Sequence, residues 1–257
     1  MSRATWLAGI NAAEHVLRTQ PERIKRVLLD ERSSNPRLEQ LRERAIEAQL
    51  AIESRRIFDL DRLVPDTRHQ GVVLELNGSW TLDEGALLTL VEKRLLAGES
   101  VLLLALDQVT DPHNLGACLR SAAAHGVDAL IMARSGSAEL TPAARKVASG
   151  GAEVVPIVRV NSLAKCCERL ARIDVRLVAA DGDADLTLYE CDLAGPVVIV
   201  LGAEHAGVSP EISRRAAQRV AIPIEPVIES LNVSVATGVV LFEARRQRFL
   251  ASTRPSG

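Results

Sequence analysis

Aromatic side chains are nearly missing from this chain: two Trp, one Tyr and three Phe make up 2% of 257 residues. So few, and so scattered, they give no support to an extended stacking platform for bases. Cysteine is scarce as well. Cys118, Cys191 and the adjacent Cys166 and Cys167 form no C-x-x-C pair and no Cys/His ligand spacing. That pattern excludes a structural zinc site and a disulfide framework, and predicts small buried thiols and no metal. No apolar run reaches the roughly 18 residues that cross a bilayer. The opening MSRATWLAGINAAEHVL also lacks the long apolar core of a signal peptide. The expectation is a cytoplasmic protein with no membrane partner. Excess charge of either sign is absent too, 31 Lys and Arg standing against 33 Asp and Glu. Residues 1–76 carry 13 basic and 12 acidic groups, a net +1, and the remainder carries 18 and 21, a net −3. Any nucleic-acid contact must therefore come from local patches.

What is present is ordinary for a folded chain: 47% apolar and 25% charged residues. The length allows one large or two modest domains. In the first part, Asn11–Arg18 reads as a helix and Arg26–Leu29 as a strand. Pro36–Gln49 then places Leu38, Leu41, Ala45 and Ala48 on one helical face. Ile52, the apolar spacing of Phe58–Val64, and Val72–Leu76 complete a small α/β unit. The turn-rich Asn77–Asp83 reads as a linker, followed by a helix over Asp83–Ala97. The predicted organisation is thus 1–76, a linker and lead-in helix over 77–97, and a larger domain over 98–257.

From Val101 onward, apolar runs at 101–106, 127–132, 154–160, 175–180, 197–201 and 219–224 alternate with helical patterns at 115–125, 141–149, 162–172 and 209–217. Such alternation predicts an α/β fold with a mostly parallel sheet covered on both faces. The chain closes on Ser230–Leu250, where Leu231, Val235, Val239, Phe242 and Ala244 suggest a buried stripe. The cluster Arg245, Arg246 and Arg248 suits a helix C-terminus.

The most informative stretch is LDQVTDPHNLGACLRSAAAHG, Leu106–Gly126. It sets an amide, Asn114, and a cation, Arg120, after a strand, where open parallel sheets bind ligands. It holds a single Gly116 and no G-x-G-x-x-G, which weakens a dinucleotide reading. Ligand contacts are expected instead from the strand ends at Ala179, Ala180, Asp181 and Gly182, at Leu201, Gly202 and Ala203, at Ile222 and Pro223, and at Ser230 and Leu231. Two later segments, VVIVLGAEHAG (197–207) and VAIPIEPVIESLNVSVATG (220–238), repeat the strand-then-polar-loop layout.

Together these three segments resemble the signature motifs of the SpoU (TrmH-like) RNA 2′-O-ribose methyltransferases. The first carries Asn114 and Arg120, the second Gly202 and Glu204, and the third runs from Ile222 and Pro223 to Ser230, Leu231, Asn232, Val233, Ser234 and Ala236. The resemblance spans about residues 98–250. It implies a deep trefoil knot, a breach of the usual no-threading rule. It also implies S-adenosylmethionine as methyl donor in the cleft formed by the knot, and a homodimer. GINAAEHVL and RHQGVVLEL resemble the small L30e-like substrate-binding domain of the ribosomal-RNA branch, which implies RNA as partner and a 23S rRNA guanosine as target. Three positions depart from the pattern: Pro226 stands where a Gly is usual, Ile224 replaces Met, and His205 follows Glu204.

The implied chemistry is attack of a ribose hydroxyl on a sulfonium methyl. Arg120 is the family's usual candidate base, yet a guanidinium stays protonated. Holding the adjacent phosphate and steadying a developing alkoxide suits it better. Asn114, Ser230 and Asn232 would orient ribose and backbone, with Glu204 fixing the site. Each residue also has a purely structural reading. Asn114 can cap the following helix, Arg120 can be a surface charge, Glu204 can brace a loop, and Ser230 and Asn232 can start a helix. Gly116 and Gly202 can serve tight turns, and His113 and His205 can be loop polar groups. Arg23, Lys25, Arg26, Arg55 and Arg56 can touch phosphates or form a solvated face. Two alternatives stay open: a related enzyme acting on a tRNA guanosine or an rRNA adenosine, and a catalytically silent RNA-binding factor with the same fold.

Overall fold

The computed structural model describes residues 5–65, 67–77, 81–204 and 206–253. They form two compact units that divide between Trp80 and Thr81.

The first unit contains β1 (Thr5–Ala8), α1 (Ile10–Thr19), β2 (Ile24–Asp30), α2 (Pro36–Glu47), β3 (Ala51–Arg55), α3 (Ile57–Leu63) and β4 (Val72–Leu76). Its sheet has the order β1-β4-β2-β3. The β2–β3 pair is parallel, and β4 runs antiparallel to both of its neighbours. The carboxyl ends of β1, β2 and β3 therefore share one edge with the amino end of β4. On one face, Leu7, Val27, Leu29 and Leu74 pack against Ile10 and Ala13 of α1 and Leu38 and Leu41 of α2. On the other, Leu28 and Val73 pack against Leu60 of α3. Asn35 starts α2 by accepting the Arg37 N–H at 3.0 Å, with Pro36 at the first helical position.

The second unit contains β5 (Thr81–Leu82), α4 (Glu84–Leu96), β6 (Leu102–Asp107), α5 (Pro112–His125), β7 (Ala129–Ala133), α6 (Pro142–Ala148), α7 (Gly151–Val154), β8 (Ile157–Val160), α8 (Leu163–Ala171), β9 (Arg176–Ala180), β10 (Leu186–Thr187), β11 (Val197–Gly202), α9 (Pro210–Ser213), β12 (Gln218–Ala221) and α10 (Val233–Thr253). The strand order is β10-β12-β9-β11-β6-β7-β8-β5. Every pairing in this sheet is parallel. Leu102, Leu104 and Leu106 face a core shared with α5 and α10, while Leu103 and Ala105 face one shared with α4 and α8. Burial on both sides explains the unbroken apolar run. From β6 the chain proceeds to β7 on one side, while β11 lies on the other. The switch in strand order thus falls between β6 and β11, at whose carboxyl ends the polar loops gather.

Helix α10 packs parallel to α5. Asn232 meets Asn114, Thr237 meets Cys118 at 3.3 Å, Gly238 lies beside Ser121, and Phe242 lies edge-on to His125. The four cysteines are free and buried. Burial pushes the Cys118 thiol up to about 11 and Cys166 to about 12, so these are packing groups rather than nucleophiles.

Several sequence expectations are corrected here. The buried face of α10 is Val233, Thr237, Val240, Leu241 and Ala244, whereas Val235, Val239 and Phe242 are exposed. The basic cluster does not end the helix, which continues to Thr253. The segment expected as a strand from 154 begins with the last turn of α7, and β8 starts only at Ile157, after Pro156. The helix expected over 209–217 is the single turn of α9, and β12 stops at Ala221. Three short strands, β1, β5 and β10, have no counterpart among the expected elements. Helix α4 belongs to the second unit, where Leu87 and Val91 enter its core.

Arg248 clamps α10 to the sheet. Its guanidinium donates to the carbonyls of Leu193 (3.2 Å), Val101 (2.9 Å) and Gly195 (2.6 Å). Burial, with nearby Arg94, pulls it down to about 10, so it stays charged at neutral pH. Neighbouring Gln247 accepts the Leu193 N–H at 2.6 Å and donates to Cys191 O at 2.8 Å. Arg248→Met keeps the stem but strands the Leu193 and Gly195 carbonyls, Val101 O retaining the Val197 N–H, and is expected to cost about 2 kcal/mol. A urea midpoint equal to that of the parent would show that the clamp contributes nothing.

Candidate active site

Three polar side chains far apart in sequence meet beyond the carboxyl ends of β6 and β11. Asn114 Nδ2 donates to Glu204 Oε1 at 3.1 Å, and Asn232 Nδ2 donates to Asn114 Oδ1 at 3.1 Å. Asn232 Nδ2 also donates to Glu204 Oε1. The Asn232 amide has one possible orientation, because its Oδ1 accepts the Ser234 N–H at 2.9 Å and the Ser234 hydroxyl at 2.6 Å. Asn232 is thus both the first residue capping α10 and a member of the polar triangle. Asn114 is not a cap. It lies inside the first turn of α5, whose cap is Asp111, accepting from His113 N at 2.9 Å.

The loop after β11 folds back over its own strand. Gly207 N donates to Ala203 O at 2.8 Å, and a Cβ on Gly202 would lie 1.8 Å from the Gly207 carbonyl oxygen. The buried Asp107 at the end of β6 holds this loop by accepting Ser209 N at 2.8 Å. Gly116 serves neither a turn nor a ligand. It is buried within α5, and its Cβ would lie 2.4 Å from Ala144 O, so its bareness lets α6 pack close.

Behind the triangle lies a cleft formed by the ends of β9, β11 and β12 and by the 222–232 segment. Of the expected ligand-contact residues, Ala180, Gly182, Leu201, Gly202, Ile222, Ser230 and Leu231 line it together with Glu204. Pro223 is exposed and does not line it. Asp181 and Ala203, also expected, line it too, Ala179 does not, and Ile228 and Glu229 join beyond the expected set. Asp181 sits in the AADG run, and its carboxylate is paired with Arg219 at 3.1 Å. Pro226 is exposed, the wall being supplied by Ile224 and Ile228 on either side.

Arg120 stands apart from the triangle. Six residues along an α-helix amount to roughly 9 Å and roughly 120° of rotation from Asn114. Its side chain is exposed, with no hydrogen bond or ion pair among the described residues. His205 lies outside the described residues. His113 is exposed and makes no side-chain bond to the triangle. No group of three or more His, Cys, Asp or Glu suited to a metal occurs among the described residues.

The lining suits a ligand with a flat apolar part and a cationic part: Leu201, Val220, Ile222 and Leu231 offer apolar walls, while Asp181, Glu204 and Glu229 offer carboxylates. A parallel sheet with that cleft beside an amide–carboxylate triangle suits group transfer from a bound donor. The chain belongs to the SpoU rRNA methylase family, whose model matches residues 101–242; residues 6–79 match the RNA 2′-O ribose methyltransferase substrate-binding model. These family matches define the class as RNA 2′-O-ribose methyltransferase. Among curated relatives, the 23S rRNA (guanosine-2′-O-)-methyltransferase RlmB of Pseudomonas aeruginosa is 44% identical, over 96% of this chain and 98% of its own length. That of Coxiella burnetii is 40% identical over the same shares. Among solved structures, the SpoU methyltransferase AviRb of Streptomyces viridochromogenes in complex with AdoMet is similar with a TM-score of 0.63. It is 25% identical, with 96% of this chain and 91% of that one covered.

Proposed function

We propose that this enzyme methylates the ribose 2′-hydroxyl of a guanosine in 23S rRNA, with S-adenosylmethionine as donor. The observation that carries the reading is the Asn114–Glu204–Asn232 triangle at the rim of a cleft lined by Ala180, Leu201, Gly202, Ile222 and Leu231. The near-full-length relatives bearing the 23S rRNA name support the target.

When bound, S-adenosylmethionine supplies an electrophilic methyl on a sulfonium centre. The walls at Leu201, Ile222 and Leu231 hold its apolar part. Ser230 and the triangle orient the ribose, whose hydroxyl must lie in line with the methyl carbon. Glu204, fixed by two amides, is the rigid acceptor at the rim. Arg120 holds the adjacent phosphate and offsets charge developing on the attacking oxygen, whose proton passes to solvent water.

The second unit carries the trefoil knot, and the first is the L30e-like domain that grips RNA in the cytoplasm. The return of the chain after β12, past the 203–209 loop to set Asn232 beside Asn114, supports the tuck. The enzyme works as a homodimer through the outer face of α10. Val235, Val239, Phe242 and Phe249 make an exposed apolar stripe at spacings of four, three and seven, with Phe242 61% and Phe249 62% exposed. Mass mapping of rRNA from a deletion strain tests the reading: one guanosine should lose its ribose methyl and regain it on complementation. An unchanged methylation map would refute it.

A further inference from the structure

The first unit has its own crevice, at the edge where the ends of β2 and β3 meet the start of β4. It is lined by Asp30, Ile57, Thr67, Arg68, His69 and Gln70, among others. Its floor is rigid. His69 is 5% exposed, and its Nδ1 accepts the Gly71 N–H at 3.1 Å, which leaves Nε2 as the donor to Asp61 Oδ1 at 2.9 Å. Gln70 and Gly71 take left-handed conformations (φ 54° and 88°). Asp30 N donates to Gly71 O at 2.8 Å, and Ile10 N to Gln70 Oε1 at 3.4 Å.

Beside this crevice, α3 turns Ile57 and Phe58 outward, 54% and 60% exposed, in a chain with only six aromatic residues. Arg62 lies over the Phe58 ring at 5.1 Å. The charges here are unequal in their freedom. Arg55 is paired with Glu53 at 2.5 Å and Arg56 with Asp59 at 3.2 Å, while Asp61 accepts, among the described residues, only from the neutral His69 ring. Likewise Lys25 and Arg26 are both engaged by Glu75. Among the described residues Arg62 and Arg68 have no carboxylate partner, while Asp30 and Asp61 supply carboxylates to the crevice without a cationic partner, so the free guanidinium groups are two local cations and not a net positive edge.

We infer that this crevice is a nucleotide-binding site for an unpaired residue of the RNA substrate, its base against Phe58 and Ile57 and its flanking phosphates on Arg62 and Arg68. The site rests on the RNA-methyltransferase reading above and adds where on the first unit the RNA is held. An apolar ring with free guanidinium groups and a preformed hydrogen-bonded floor matches a splayed base better than a duplex groove.

The test uses full-length protein and a protein-free 23S rRNA fragment that contains the mapped target. Phe58→Ala is expected to weaken binding about tenfold with little change in salt dependence. Arg62→Gln with Arg68→Gln should lower the slope of log affinity against log salt by about 1.4, roughly 0.7 for each phosphate no longer neutralised. S-adenosylmethionine binding, read by calorimetry, should stay as in the parent for both. Parent-like RNA affinity and slope in both variants overturns the inference. So does an equal loss of slope from Arg42→Gln with Arg44→Gln on α2, which would mean that the charge effect is not local. A parent that binds the donor yet methylates no rRNA guanosine sinks the functional reading itself. A parent that methylates normally while the variants bind like it sinks only the crevice.

Discussion

Arg120→Lys should lower kcat about 100-fold while leaving S-adenosylmethionine affinity within about twofold of the parent. The substitution keeps the charge and removes the planar fork, so it separates a bidentate grip on phosphate and alkoxide from a general electrostatic pull. The side chain is exposed and makes no bond within the described residues, so no folding defect should accompany the loss. Single-turnover methylation at saturating RNA and donor is the measurement. Turnover within about threefold of the parent would remove Arg120 from the reacting atoms, since lost stabilisation of developing charge usually costs far more.

Gly202→Ala should be the most damaging small substitution in the second unit. Its new methyl would lie 1.8 Å from Gly207 O and 1.9 Å from the carbonyl carbon, both backbone atoms. The loop between them cannot yield without moving Glu204 away from Asn114 and Asn232. The expected cost is at least about 3 kcal/mol of stability, because overpacking against fixed backbone is among the largest single-residue effects. If the loop gives way instead, the cleft wall goes with it and S-adenosylmethionine binding falls out of calorimetric range. Thermal melts and donor titrations on the same sample decide between the two. A variant with the parent's melting temperature and donor affinity would contradict the close approach.

Much of this fold is legible in the sequence because its strands are buried on both faces. Val101–Leu106 and Val197–Leu201 are apolar at every position, so they can be recognised without choosing a face. Helix α10 is legible as a helix but not in phase, because it has two apolar stripes. Val235, Val239 and Phe242 read as the inner one, yet Val233, Val240, Leu241 and Ala244 face the core. Thr237 disguises that face. It is polar in sequence, but its hydroxyl donates to Val233 O at 2.7 Å and it is fully buried. Strands of two to four residues, such as β1 and β5, are too short for any period to register.

The site is legible mainly through its resemblance to known motifs. Asn114 and Glu204 lie 90 positions apart, and Asn114 and Asn232 lie 118 apart. No local spacing rule predicts their hydrogen bonds. Gly116 and Gly202 stand out in sequence, but the reason differs from a turn: each makes room for another backbone's carbonyl. Of the cations that sequence singles out in the first unit, Lys25, Arg26, Arg55 and Arg56 are committed to carboxylates, and Arg23 bonds Gln20. Free and spent cations look alike in sequence, so nothing there marks Arg62 and Arg68.

Asn232 both opens α10 and completes the polar triangle. Fraying of the first turn of α10 would therefore remove one corner of the triangle, so local order at this helix start and the geometry of the reaction centre rise and fall together.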